Sequence, residues 1–231
     1  IVGIDRDGCF AEYIVLPEFN CWIWDIDIPD EVAAIQDPFG NAVHTALATD
    51  LAAKTVLITG MGPIGLCAIS VAKRSGATEV YVTDVSEYRL DLAKKLGADL
   101  AINPIEEDPV AAVREATGGL GADVLLEMSG NPTAIRQGFQ ALRKAGFASL
   151  LGIPSKPMEI DLANDIIFRS LTVQGINGRR MFDTWYQARA LLKAGIDITP
   201  VITHRMSLWD DLDKGMELMM SGKCGKVILY P

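Results

Sequence analysis

Glycines stand at 60, 62 and 65 in Gly60-Met61-Gly62-Pro63-Ile64-Gly65, and an aspartate, Asp84, follows 19 residues after the last of them. Where such a turn joins a strand to a helix, these residue types at this spacing bind a dinucleotide. Gly60 makes the tight turn, Gly62 lets the backbone approach a pyrophosphate, and Gly65 brings helix and strand close together. Unpaired N–H groups and the positive end of the helix dipole then favour the phosphates. A carboxylate at Asp84 accepts hydrogen bonds from both ribose hydroxyls and repels a 2′-phosphate, which favours NAD over NADP. Arg89, one turn into the next helix, is placed to stack on adenine or pair with a phosphate; the alternative is a solvated helix charge.

Two more candidates precede the turn. The segment Gln36-Asp37-Pro38-Phe39-Gly40-Asn41-Ala42-Val43-His44 carries an acid and one of only two histidines. On spacing alone the pair is too sparse for a metal site, so Asp37 reads as a helix cap or turn residue and His44 as a packed helix residue. His204, beside Arg205, reads as structural. Cys9, Cys21, Cys67 and Cys224 form no CxxC pair, hence neither a disulfide framework nor a structural zinc knot. Cys67 falls in an apolar helix and reads as a small core residue. Gly118-Gly119-Leu120-Gly121 precedes a strand, so it is a loop and not a second phosphate cradle.

The elements that must position these residues alternate regularly. Four of the five residues over 55–59 are β-branched, as suits a buried parallel strand. A helix follows over 63–75, a strand over 79–84, a helix over 86–96 with Ser86 as N-cap, and a short strand over 100–103. Next come a helix over 109–117, a strand over 123–128, a helix over 133–144 and a strand over 147–151. A helical stretch over 162–168 and a strand over 171–175 complete the series. Such alternation predicts an α/β fold, a Rossmann doubly wound six-stranded parallel sheet with right-handed crossovers. The flanks differ. Residues 8–16 and 22–28 read as short strands, Asp30 as the N-cap of a helix start, and 41–48 as a longer helix. The tail reads as a helix over 182–194, a strand over 201–205, a helix over 208–221 and a strand over 225–230. Three parts result: a β-rich head over 1–40, a nucleotide domain over 41–178, and a tail over 179–231 that pairs with the head.

Composition excludes several functions. The net charge is −9 with no basic cluster, which argues against nucleic acid or an anionic membrane as partner. No run approaches the roughly 18 apolar residues of a membrane span, and no signal-peptide pattern opens the chain. The scattered cysteines fit a reduced, cytoplasmic setting. Residue 1 is Ile, and Ile1-Val2-Gly3-Ile4 resembles the middle of a sheet, so a fragment or processed product is expected.

The motifs Gly8-Cys9-Phe10-Ala11-Glu12-Tyr13, Asp37-Pro38-Phe39-Gly40-Asn41-Ala42-Val43-His44-Thr45, the glycine turn, Gly119-Leu120-Gly121-Ala122-Asp123 and Gly225-Lys226-Val227-Ile228 resemble the zinc-dependent medium-chain alcohol dehydrogenases. Within that family, Glu127-Met128-Ser129-Gly130, Leu151-Gly152-Ile153-Pro154, Met181-Phe182-Asp183-Thr184-Trp185-Tyr186 and Ile202-Thr203-His204-Arg205 look like its threonine-oxidising branch. The resemblance covers essentially the whole chain. It implies that head and tail are remnants of a β-rich, GroES-like catalytic domain. It further implies oxidation of the 3-hydroxyl of L-threonine to 2-amino-3-oxobutanoate, with hydride passing to NAD.

By the same resemblance Gly60, Gly62, Pro63, Ile64, Gly65, Asp84 and Arg89 hold the cofactor. Leu151, Gly152, Ile153, Gly175 and Ile176 line its nicotinamide end. Asp37 falls where the family places an acid near the catalytic zinc, as a ligand or in the proton relay, and His44 would face the cofactor. The strand over 171–175 would pair across a subunit interface, giving a homo-oligomer, tetramer or dimer. The family's other zinc ligands, a Cys and a His-Glu pair, and its four-cysteine lobe come from upstream of Ile1. One carboxylate cannot build a tetrahedral zinc site, so this chain is expected to bind NAD but not to turn over substrate by itself. The competing readings are a polyol or butanediol dehydrogenase of the same superfamily and a non-catalytic NAD-binding module.

Overall fold

The sheet forms because successive residues of its strands face two different apolar layers. A computed structural model describes residues 2–231. Its first six strands are β1 (Thr55–Thr59), β2 (Glu79–Thr83), β3 (Leu100–Ile102), β4 (Ala122–Glu127), β5 (Leu142–Leu150) and β6 (Thr172–Gly175). They pair in parallel in the order β3-β2-β1-β4-β5-β6. Val56 and Ile58 of β1, Val80 and Val82 of β2, and Val124 and Leu126 of β4 pack in one core. Leu57, Tyr81 and Leu125, the residues between, pack in the other. This is the period of two that a pleated strand imposes, with both faces covered. Full burial of each such side chain contributes roughly 1.5–3 kcal/mol.

The helices follow from the same division. The short α1 (Asp30–Ala34), then α2 (Gln36–Ala46), α3 (Pro63–Arg74) and α4 (Glu87–Lys95) supply Val32, Phe39, Val43, Leu66, Ile69 and Leu90 to the first core. The second core takes Val113 from α5 (Pro109–Ala116) and Ile135 and Phe139 from α6 (Pro132–Ala141). Ser86 caps α4, its hydroxyl accepting the Arg89 N–H, and Asn131 caps α6 through the Thr133 and Ala134 N–H groups. After β1 the chain winds outward through β2 to β3, then returns across the sheet to β4. The C-terminal ends of β1 and β4 therefore flank a crevice at the point where strand order reverses.

Beyond the sheet lie α7 (Asp183–Lys193), β7 (Ile202–Ser207), α8 (Leu212–Met220) and β8 (Lys226–Tyr230). Parallel strands need a crossover between them, and α8 supplies it for the two-stranded β7–β8 sheet. No helix among the described residues is long and apolar enough to cross a membrane.

Several boundaries and one whole region depart from the sequence reading. The strands expected over 8–16 and 22–28 do not form. Between them lies a 3₁₀ turn, Glu18–Asn20, and ahead of them an isolated Val2–Arg6 bridge. A strand needs a partner for its N–H and C=O row, and β7 and β8 pair with each other instead of with the head. Tyr13, Val15 and Ile23 are left more than four-fifths exposed. Side chains join head and tail. Trp22 stacks on Phe182 at 5.4 Å and sets its edge against Tyr186, Asp25 pairs with Arg189, and Glu31 with Arg205.

Asp30 is the first residue of α1 and not its cap; Pro29 precedes it and makes no side-chain bond. The helix expected from 41 begins at Gln36, which puts Asp37 in its first turn, where the dipole favours an acid. The helix expected to reach 144 stops at Ala141, because β5 begins at Leu142. The stretch over 162–168 forms a π turn, Leu162–Ile166, followed by a 3₁₀ turn, Ile167–Arg169.

Candidate functional site

The crevice is built on the glycine turn, and each glycine meets a different constraint. Gly60 has φ +85°, and a Cβ there would lie 2.8 Å from the Ser129 Cα, so both conformation and space demand glycine. A Cβ on Gly65 would overlap the Gly60 carbonyl oxygen. Gly62 is different. It has extended backbone, φ −67° and ψ −179°, that any residue adopts, and a Cβ there would meet nothing within 4 Å. Nothing in the protein itself requires glycine at 62. Gly62 is also the N-cap of α3, without a side-chain cap, and Pro63 opens the helix. The first-turn N–H groups are thus left for a ligand.

Asp84 lies at the end of β2. Its Oδ2 accepts the Met61 N–H at 2.6 Å and its Oδ1 the Ser86 N–H at 2.8 Å. Arg89 stands on the same wall, half-buried, with Nε donating to the Cys224 carbonyl at 3.3 Å. Gly60, Gly62, Asp84, Arg89, Met128 and Ser129 are among the walls of one cleft of about 490 Å³, a size suited to a small ligand or part of a dinucleotide. The sheet therefore brings together the glycine turn, Asp84 and Arg89, which the sequence singled out. Ile64 packs partly against the first core from the start of α3.

The other expected residues sit elsewhere. Leu151, Gly152 and Ile153 follow β5, with the Leu151 and Gly152 N–H groups on the Glu127 carbonyl at 3.0 and 3.1 Å and Ile153 86 % exposed. Gly175 ends β6, and the buried Ile176 donates its N–H to Leu150 O. These five lie at the ends of neighbouring strands and are not walls of the 490 Å³ cleft. Asp37 is exposed on α2, 3.1 Å from Arg179 Nη2, and accepts from Asn41 Nδ2. His44 lines a separate cavity of about 330 Å³ with Arg180, Asp183 and Tyr186. Its Nδ1 is 2.8 Å from the Gly178 carbonyl, which only accepts, so the proton is on Nδ1. His204 Nδ1 meets Thr203 Oγ1 at 2.9 Å.

Among the described residues no group of three His, Cys, Asp or Glu is arranged to hold a metal ion. A zinc site needs at least three protein ligands. The described residues do not fit that group.

Two features of the site were not foreseen. Glu127, at the end of β4, is fully buried, and its Oε1 accepts from Thr59 Oγ1, the Ser129 N–H and hydroxyl, and the Gly130 N–H. An acid ending an otherwise apolar strand was the available signal. The second feature is the Gly222–Cys224 loop after α8, which reaches the cleft wall through Ser86 Oγ–H to Gly222 O and Arg89 to Cys224 O. No sequence signal marks that contact, which joins residues 135 apart. Cys67 is buried as expected, and burial pushes its thiol up to about 12.

A parallel sheet with this strand order and a phosphate turn at its switch point defines a Rossmann-type dinucleotide-binding domain. The chain belongs to the zinc-binding dehydrogenases, whose family model matches residues 63–194. An L-threonine 3-dehydrogenase of Symbiobacterium thermophilum is 57% identical over 233 residues, covering 100% of this chain and 66% of that protein. One of Pyrococcus furiosus is 52% identical over 229 residues, covering 99% and 66%. The chain thus spans about two thirds of the length of these relatives. An alcohol dehydrogenase of Escherichia coli CFT073, solved in complex with NADH, superposes with TM-score 0.89 at 26% identity, over 100% of this chain and 68% of that one.

Proposed function

We propose that the cleft at the β1–β4 switch point binds NAD, and that the protein serves the oxidation of the 3-hydroxyl of L-threonine to 2-amino-3-oxobutanoate. Gly62 carries the cofactor reading. It is a glycine that its own protein does not require, set where a Cβ would fill the space above the uncapped start of α3. Gly60, Gly62 and the first turn of α3 hold the pyrophosphate, Asp84 the adenosine ribose, and Arg89 the adenine side of the cleft. Bound there, NAD supplies the hydride acceptor. The carboxylate of Asp84 disfavours a 2′-phosphate and so selects NAD over NADP. Leu151, Gly152, Ile153, Gly175 and Ile176, beyond β5 and β6, line the way to the nicotinamide end.

The substrate rests on the relatives named L-threonine 3-dehydrogenase, 57% and 52% identical across almost the whole chain. Asp37 and His44, both on α2, are assigned to the reacting centre by the likeness to these relatives alone. The exposed edge strand β6, with Thr172 and Val173 open to solvent, is offered as the pairing edge of a dimer or tetramer. Free thiols at all four cysteines fit a cytoplasmic setting.

The competing diol reading has one observation behind it. A 2R,3R-butanediol dehydrogenase of Bacillus subtilis superposes with TM-score 0.78 at 32% identity over 86% of this chain. The test is NADH formation by the complete, zinc-loaded protein offered L-threonine beside 2,3-butanediol and sorbitol. Preference for threonine is expected. Preference for a diol overturns the substrate and leaves the cofactor argument standing.

A further inference from the structure

Glu127 ends the central strand β4 with no accessible surface, and its carboxylate takes donors from the end of β1 and from the β4–α6 loop. From β1, Thr59 Oγ1 donates to Oε1 at 3.2 Å. From the β4–α6 loop, the Ser129 N–H donates at 2.9 Å and the Gly130 N–H at 3.1 Å, and the Ser129 hydroxyl also donates. From β5, Gly152 is pressed so closely on this junction that a Cβ would overlap both Oε2 and the Gly130 nitrogen. The Glu127 main chain adds to this, its carbonyl accepting the Leu151 and Gly152 N–H groups. Ser129 in turn abuts Gly60, the first glycine of the phosphate turn.

The direction of the site gives these contacts a role. Asp84 and Arg89 mark the adenosine end beyond β2, and the glycine turn marks the pyrophosphate above β1. With strand order β2-β1-β4-β5, the remaining half of a dinucleotide has to run over the ends of β4 and β5. We propose that Glu127 is a positioning residue for that second half: its carboxylate ties the β4–α6 loop to the end of β1 beside the glycine turn, its main-chain carbonyl holds the loop after β5, and the nicotinamide ring is thereby held in one place. This inference rests on the dinucleotide reading. Glu127 touches no ligand itself. A buried acceptor that gathers hydroxyl and backbone donors from separate loops holds them in one arrangement, and losing it leaves every donor without a partner.

The test compares two ligands on the full chain: NADH, followed by nicotinamide fluorescence, and ADP, which ends at the pyrophosphate, followed by calorimetry. E127M removes the acceptor at similar length, and E127Q restores an oxygen in the same shape. NADH affinity is expected to fall about tenfold or more in E127M, less in E127Q, with ADP affinity kept within about twofold. The fluorescence gain of bound NADH should fall in the same order. Should E127M not fold, E127Q must still show the split between the two ligands. Equal losses for NADH and ADP, or no loss of NADH binding, overturn the positioning role. A wild-type chain that binds neither ligand overturns the dinucleotide reading instead.

Discussion

The Asp84 carboxylate accepts the Met61 N–H at 2.6 Å, so the acid that ends β2 is fastened to the glycine turn that ends β1. One side chain thus sets the distance between the proposed ribose and phosphate subsites. It does so with Oδ2, while Oδ1 holds the start of the next turn at Ser86. Replacing Asp84 by Ala removes a charge-assisted acceptor as well as a ribose ligand. NADH affinity should fall roughly tenfold to a hundredfold, and stability by about 1.5–3 kcal/mol. Asp84→Asn keeps an acceptor for Met61 and should recover most of the stability while NADPH gains on NADH. Titrations with both cofactors beside thermal melts read this, and an unchanged NADH:NADPH ratio in both variants speaks against Asp84 as the selector.

Gly62 and Gly65 should separate cleanly on substitution. Gly62→Ala meets open space with compatible backbone, so stability should stay within about 0.5 kcal/mol or rise slightly. Its NADH affinity should nevertheless fall on the order of a hundredfold, because the methyl occupies the ground of the ligand. Gly65→Ala drives a methyl into the Gly60 carbonyl and should cost roughly 1–3 kcal/mol or more in folding. Denaturant curves and NADH fluorescence on the two variants make the comparison. Unimpaired NADH binding by Gly62→Ala would be the decisive negative.

Thiol reactivity should divide the four cysteines in two pairs. Cys9 and Cys21 are exposed, whereas Cys67 and Cys224 are buried, and burial raises both of the latter thiols, Cys67 to about 12. The thiolate is the reactive form. At pH 8 a disulfide reagent should titrate two thiols quickly in the native chain and four after unfolding. Rapid loss of a third native thiol would contradict the packing of α3 or of the Gly222–Cys224 loop.

Acid should loosen the tail from α1. Hydrogen bonds from Arg205 and Tyr230 hold the Glu31 carboxyl below its ordinary 4.5. A folded value below the unfolded one means that this contribution is fully present above about pH 4.5. It is lost as pH falls through the depressed folded value. Arg205 and Tyr230 are exposed, so the effect should be small and fade with salt. Melting temperature against pH for Glu31→Gln should run parallel to wild type near neutrality and show a shallower acid decline. An unaltered acid limb at low salt would remove Glu31 from the account.

The sequence by itself determined the six-stranded parallel sheet, the glycine turn and the acid after β2. Those features are local: β-branched runs, glycine spacing, and a cap such as Ser86 act within a few residues of themselves. Period-two alternation then assigns Val56 and Leu57 to opposite layers without reference to anything distant. What tertiary structure decided depended on partners far away in the chain. The runs over 8–16 and 22–28 carry strand-forming residues, yet no neighbouring strand accepts them, so they stay irregular. Asp37 could be read as a cap, a turn residue or a ligand, and only the fold sets it in the first turn of α2 beside Arg179. Glu127 stands in the sequence as an acid at the end of an otherwise apolar run. Its bonds to Thr59 and to the Ser129–Gly130 loop appear only when β1 and β4 lie side by side, because a buried carboxylate is satisfied by whatever donors the sheet brings to it.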